Sequence, residues 1–312
     1  MHASVVITAW NAAATLPRTL AALAAQELDG TYEVIVVDNG SDDATGEIAR
    51  SASGPVRVIA RDHGLAGEAR NDGVSVASGQ VVAFTDADCY PTPGWLASGL
   101  RALEAGADLV QGRVEPEPRA MGPFDRSLWV GADRGLYQTA NLFLRRELFD
   151  RLGGFEEVFD DPGARAFGED VWLGWRARRA GARPAFSSEA LVHHAVLPSG
   201  ARAYLAERRR LGLFPGLVKK VPELRRSFLR ARVFLGPRSA AFDAALAGVA
   251  LGALARTPVP LAAAAPYVKT IGGRALQSGR RAPLVAVVEV AADAVGLASL
   301  VAGSVRARTP VL

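Results

Sequence analysis

Short, almost wholly apolar runs alternate with helix-patterned stretches through the first half of this chain, and that alternation restricts its fold more than any other feature. "SVVITAW", "YEVIVVD", "VRVIA" and "VVAFTD" read as strands, with "AATLPRTLAALAAQ", "DDATGEIARSA" and "GEARNDGVSVA" as helices between them. A further helix, "GWLASGLRALEAG", and a strand, "ADLVQGRV", follow. Val/Ile runs without polar alternation belong to strands covered on both faces, so the pattern predicts an α/β fold with a mostly parallel central sheet. Ligands of such sheets bind beyond the carboxyl ends of the strands. The candidate functional residues are therefore Thr8 to Asn11, Asp38 to Ser41 and Asp86 to Cys89, where the first, second and fourth strands run out.

The fourth strand ends in two acids, Asp86 and Asp88. Residues i and i+2 of an extended segment point to one side, so both carboxylates can face one point. They repel unless something positive lies between them, and hard oxygen ligands suit Mg²⁺ or Mn²⁺. The alternative is a solvated loop whose acids cap a helix. An EF-hand is excluded, because Tyr90 and Pro91 stand where that loop needs a ligand and a glycine.

"VVITAWNAAATLPRTLAAL", "VIVVDNGSDDAT", "LAGEARNDGVSVASGQVVAFTDADC" and "FGEDVWLGWRARRAG" occur in that order. Together they resemble the family 2 glycosyltransferases of the GT-A fold, of the membrane-associated bacterial type, over about residues 3–195. The resemblance implies a nucleotide-diphosphate sugar as donor, a divalent metal, and usually inversion at the anomeric carbon.

Asp38 ends the second strand, where a carboxylate can accept from a base N–H; the matching family residue holds a uracil ring, which points to a UDP-sugar. Its alternative is an N-cap, a task that Ser41 or Asp42 could also take. Trp10 replaces the family's usual tyrosine and either stacks on the base or belongs to the core, and Thr8 is a further candidate for a base contact. Arg70 offers a planar fork to phosphate or a base carbonyl. A surface pair with Glu68 or Asp72, two residues away, would not face it on a helix.

Glu169 and Asp170 open a helix, where acids also favour the helix dipole. The family's corresponding pair contains the catalytic base; Asp170 is the match, with Glu169 orienting it or the acceptor. The preceding "DDPGARAFG", residues 160–168, reads as a mobile loop that could close over the donor. "WRARRAG" stands where the family's processive polymer synthases carry Q-x-x-R-W, which argues against such a synthase. His193 and His194 point to opposite sides of a strand. By register with the family, His194 joins Asp88 and Asp86 at the metal, the alternative being a structural histidine. Thr139, Ala140 and Asn141 match the segment lining the acceptor pocket.

Charge divides the chain. Residues 1–199 hold 27 acids and 18 basic residues; residues 200–312 hold 5 and 18. The expected organisation is a catalytic domain over 1–199 and a basic, apolar helical tail over 200–312. Interleaved arginines at 202–238 and apolar stretches at 240–267 and 283–305 suggest a basic amphipathic tail in the interface of an anionic membrane. The alternative is a pair of helices packed on the body. The acidic body argues against nucleic acid. A single cysteine, Cys89, leaves no disulfide framework or cysteine zinc site and fits a reducing cytoplasm. "MHASVVITAWN" lacks the basic start of a signal peptide. The expected place is therefore the inner face of the cell membrane, and the expected acceptor a hydroxyl, lipid-linked or of a cell-envelope glycan. Competing readings are a nucleotidyltransferase, which wants a glycine-rich phosphate loop that "VVITAWNAAATL" lacks, and a non-enzymatic membrane adaptor.

Overall fold

The computed structural model describes residues 2–159 and 167–312. They divide into two compact units, one running to Arg119 and resuming over Ser127–Val196, the other made of Ala120–Arg126 and Leu197–Leu312.

The first unit is built from β1 (Ala3–Ala9), α1 (Leu16–Ala24), β2 (Tyr32–Asn39), α2 (Thr45–Arg50), β3 (Val56–Arg61), α3 (Ala66–Ser75), β4 (Val81–Asp86), β5 (Cys89–Pro91), α4 (Trp95–Glu104), β6 (Leu109–Pro116), β7 (Asn141–Arg145), α5 (Arg146–Leu152), α6 (Glu169–Arg179) and β8 (Pro184–His194). Its sheet has the order β3-β2-β1-β4-β7-β6-β8-β5. Successive residues of β2 and β4 are buried on both faces, Val34 to Val37 and Val81 to Phe84 alike, as their unalternating apolar sequences require.

The half of the sheet from β3 to β4 is parallel throughout, in keeping with helical crossovers between its strands. Beyond β4 the sheet is mixed: β7 lies antiparallel between β4 and β6, and β5 runs antiparallel to β8. Of the seven strand pairings among the described residues four are parallel, β6–β8 included, so the sheet is mostly parallel as expected, with β7 and β5 as its antiparallel strands. No helix is assigned between β6 and β7, so this connection lacks the crossover element that makes strands parallel.

β4 and β5 are separated by only Ala87 and Asp88, yet β5 sits four strands away in the order. Four flat inter-strand steps would span about 19 Å. The three residues from Asp86 to Cys89 reach at most about 11 Å. The sheet must therefore curl, bringing its β8–β5 edge to the end of β4. Thr19 of α1 fixes the corner by donating to the Ala87 carbonyl at 2.9 Å.

Asn141 departs from expectation. It is fully buried, and Thr139 and Ala140 beside it are nearly so. Its Oδ1 accepts from Trp95 Nε1 at 2.8 Å, while its Nδ2 donates to the carbonyls of Arg113 at 2.8 Å and Ala190 at 2.7 Å. The β6–β8 register shifts at Gly112/Arg113, and Asn141 satisfies carbonyls on both sides of that irregularity. A Cβ on Gly112 would collide with the amide. Asn141 is a fastener of the sheet rather than part of a pocket wall.

The second unit is helical: α7 (Ala201–Arg208), α8 (Phe214–Lys220), α9 (Leu224–Ser227), α10 (Pro237–Ala255), α11 (Ala265–Leu276) and α12 (Ala282–Ala307), with 3₁₀ turns among them. It also takes in 120–126, where Phe124 packs on Tyr204 with ring centroids 5.5 Å apart. At its centre Glu289 of α12, fully buried, accepts from Tyr204 Oη at 3.0 Å and pairs with Arg238 and Arg274. One turn on, Asp293 receives Arg238 and the Tyr267 hydroxyl. These polar contacts tie α7, α10, α11 and α12 together. Two helical stretches, Pro237–Ala255 and Gly279–Ala307, are long and apolar enough to cross a membrane. Their apolar residues are not confined to one face: Val285, Val288 and Leu300 are buried while Leu284, Val287 and Val301 on the same helix are exposed. The amphipathic description of the tail does not hold for these two helices.

Replacing Asn141 with leucine strands the Trp95 donor and two carbonyls, each costing about 1–3 kcal/mol when buried and unpaired. The expected outcome is a lower urea midpoint at unchanged m-value. Unaltered stability with a defect confined to the acceptor KM would instead return Asn141 to the pocket wall.

Candidate active site

The site assembles where β1, β2 and β4 end. Thr8 lies between its register partners Val37 of β2 and Asp86 of β4. Asp38 is nearly buried, and its Oδ1 accepts from the Ser41 amide at 3.1 Å, closing the turn after β2. Gly40 makes that turn possible: its φ is +75°, and a Cβ would run into the His63 backbone. Neither Ser41 nor Asp42 meets the start of α2. Asp43 does, accepting from the Thr45 amide at 3.0 Å, while Ser41 Oγ accepts from the Asn11 amide.

Trp10 is 54% exposed, which excludes the core alternative. Its indole leans on His63, ring centroids 4.7 Å apart, and His63 Nδ1 lies 3.1 Å from the Asn39 carbonyl. His63 is a site neighbour that sequence reasoning missed. A lone histidine after an edge strand carries no signal until the fold sets it beside Trp10.

Arg70, on α3, is almost buried. Its Nη1 donates to Glu169 at 3.0 Å and its Nη2 lies 3.4 Å from Asp86, with the guanidinium 5.6 Å from the centroid of the Phe155 ring. Burial works against its charge, but Asp86, Glu169 and Asp170 outweigh that and hold its pKa above the ordinary arginine value. Arg70 thus joins β4 to the start of α6. The surface partners weighed for it, Glu68 and Asp72, pair with Arg61 instead. Phe155 is in turn held by Asn71, which exchanges two hydrogen bonds with its backbone at 2.8 and 2.9 Å.

Glu169 and Asp170 form the first turn of α6. Asp170 is partly buried, and its Oδ1 accepts from the Val171 amide at 2.7 Å. Burial first, and then the Glu169 carboxylate, push Asp170 up to about 8, with the Val171 amide and Arg70 opposing. Most of the "DDPGARAFG" segment, residues 160–166, lies outside the described residues.

Asp88 and His194 meet across the curled edge. His194 Nε2 lies 3.5 Å from Asp88 Oδ2, and β5–β8 pairing sets Cys89 opposite His194. His194 Nδ1 lies 2.8 Å from the Ala195 carbonyl, to which it donates, and Nε2 is the nitrogen turned toward Asp88. One ligand atom each from Asp88, Cys89 and His194 falls within 4.8 Å of the others. The Cys89 thiol is buried, and burial together with Asp86 and Asp88 pushes its pKa well up. It stays a neutral thiol, a poor ligand for a hard cation. A carboxylate and an imidazole with its second nitrogen engaged do fit a divalent metal. His193 points elsewhere, with its Nδ1 buried and unpartnered among the described residues.

A curled mixed sheet, an acid-ended central strand and a carboxylate pair opening a nearby helix are the features expected of a GT-A glycosyltransferase. The family model "Glycosyl transferase family 2" matches residues 4–168. The chain is 33% identical over 212 residues to glycosyltransferase AglE of Haloferax volcanii, covering 63% of this chain and 68% of that protein. It is 32% identical to validoxylamine A glucosyltransferase of Streptomyces hygroscopicus, covering 57% of this chain but only about half, 51%, of the relative. Among solved structures, a mannosyltransferase of Pyrobaculum calidifontis in complex with GDP-mannose and Mn²⁺ superimposes with a TM-score of 0.57 at 21% identity, covering 96% of this chain and 86% of that one. S. aureus TarS in complex with UDP-GlcNAc gives 0.51 at 17% identity over 99% and 93%. The chain belongs to glycosyltransferase family 2 and is a glycosyltransferase.

A base must be deprotonated to act. With Asp170 raised to about 8, kcat/KM is expected to climb with pH up to that region. An ordinary carboxylate would level off above about 4. Asp170→Asn should lower transfer by roughly 10²–10⁴-fold and remove that limb while donor affinity holds. Loss of donor binding in calorimetry would make Asp170 a donor ligand instead.

Proposed function

We propose that the enzyme moves a sugar, with inversion, from a nucleotide-diphosphate donor, a UDP-sugar by the position of Asp38, to an acceptor hydroxyl. The observation that carries this reading is the facing pair Asp88 and His194, with Asp86, Arg70, Glu169 and Asp170 joined beside it. Asp88 and His194 Nε2 would hold Mg²⁺ or Mn²⁺, with Asp86 close by; the ion, when bound, screens the charge that develops on the departing diphosphate. Solved relatives of the fold bound to Mn²⁺ with GDP-mannose, or with UDP and GalNAc, support both the metal and the donor class.

The residues then divide the work. Trp10 offers an exposed face for the base, with Thr8 and Asp38 at its edge. Asp170 takes the proton from the acceptor hydroxyl, whose oxygen attacks the anomeric carbon from the face opposite the diphosphate. The bond to the diphosphate oxygen breaks in the same displacement, and no covalent enzyme intermediate forms. Glu169, held by Arg70, orients Asp170 or the acceptor.

The acceptor we propose is lipid-linked or part of a cell-envelope glycan, and the place of action the inner face of the membrane. Two helical stretches long and apolar enough to cross a bilayer support this, as does the basic balance of residues 200–312.

Asp88→Ala should fold normally and lose donor turnover by orders of magnitude, and excess chelator should do the same to the parent enzyme. Turnover that survives either treatment excludes the metal-assisted route. A thermal-shift screen of nucleotide-sugars with Mn²⁺ identifies the donor.

For the membrane reading, the full chain should float with liposomes containing anionic lipid and stay bound in about 1 M salt, which screens charge but not apolar burial. Release by salt would mean an electrostatic contact alone, and no flotation at low salt a packed structural extension.

A further inference from the structure

The second unit contains a cavity of about 220 Å³, lined wholly by its own residues. Leu235, Phe242, Leu297 and Leu300 make an apolar wall, and Ala292 and Gly296 of α12 leave the space open by their small size. Arg208, Arg238, Asp243 and Asp293 form the polar side.

Three of those four charged groups have partners within the unit. Arg238 is engaged by Asp293 and Glu289, Asp293 also receives the Tyr267 hydroxyl, and Arg208 donates to Tyr204 Oη at 2.6 Å. Asp243 differs: its Oδ2 is buried and has no hydrogen-bond partner among the described residues. An orphaned carboxyl oxygen is costly, and a donor placed in the cavity would relieve it. Asp293 is neutralised by Arg238 on the same wall, and Arg208 is engaged by Tyr204, so the orphaned Asp243 oxygen is what selects the head of a guest. The apolar wall calls for a guest that is mostly hydrocarbon.

We propose that this cavity binds a single-chain amphiphile whose hydroxyl or ammonium head donates a hydrogen bond to Asp243 while its chain lies along Phe242, Leu297 and Leu300. The site is separate from the transfer chemistry proposed above and does not depend on it.

Thermal unfolding of the full chain against octanol, octylamine and octanoate tests this, since all three share one chain length and differ in the head. Octanol and octylamine should raise Tm saturably, and octanoate should not, because a carboxylate presents only lone pairs to Asp243. Gly296→Leu, whose side chain would fill the space, should abolish both shifts. Asp243→Asn removes no hydrogen bond that Oδ2 makes among the described residues and adds a donor, so octanoate should now stabilise the protein. The proposal is overturned if neither octanol nor octylamine gives a saturable rise, as for a cavity that holds water alone. It is equally overturned if octanoate stabilises the parent as well as octanol does, or if Gly296→Leu keeps the shifts, which places the ligand on the exposed apolar surface.

Discussion

The step from Asp86 to Cys89 sets the shape of the catalytic unit. A chain that leaves the middle of a sheet and reaches its far edge within three residues compels the sheet to curl. The curl is what gives Asp88 a partner. His194 ends a strand more than 100 residues later, yet edge pairing of β5 with β8 sets its Nε2 within 3.5 Å of the Asp88 carboxylate. The same pairing buries Cys89 and keeps its thiol neutral, leaving the metal-compatible donors to its neighbours.

Electrostatics around Arg70 follow from that geometry. Bringing the end of β4 against the start of α6 crowds three carboxylates, Asp86, Glu169 and Asp170, into a partly buried space with one guanidinium. Burial first, and then the Glu169 carboxylate, raise the pKa of Asp170, and a single positive charge bound directly to the other two acids does not bring it back. An acid held near neutrality is suited to proton transfer at physiological pH. Arg70 thereby shapes the titration of Asp170 directly and through its neighbours. Both arms of its guanidinium meet carboxylates.

The second unit applies the same principle differently. Glu289 is fully buried in an apolar helix and tolerated there because two arginines and a tyrosine converge on it. Removing any one partner would leave a buried charge poorly compensated. These contacts hold four helices together while much of their apolar surface stays exposed, with Leu254 of α10 at 83% and Leu276 of α11 at 77%.

Local pattern was enough to read the strands β1 to β4, the helices between them and the acids at their ends, because apolar periodicity and strand termini are properties of neighbouring residues. The ordered motifs likewise disclosed the family. Long-range pairing decided the rest. No spacing in the sequence reveals that β7 enters antiparallel, that Asn141 mends an irregularity between β6 and β8, or that Arg70 meets Asp86 and Glu169. Nor could sequence choose between His193 and His194 except by likeness to the family. That choice needed the partner strand, because a side chain on a strand has a direction only once the strand has a neighbour.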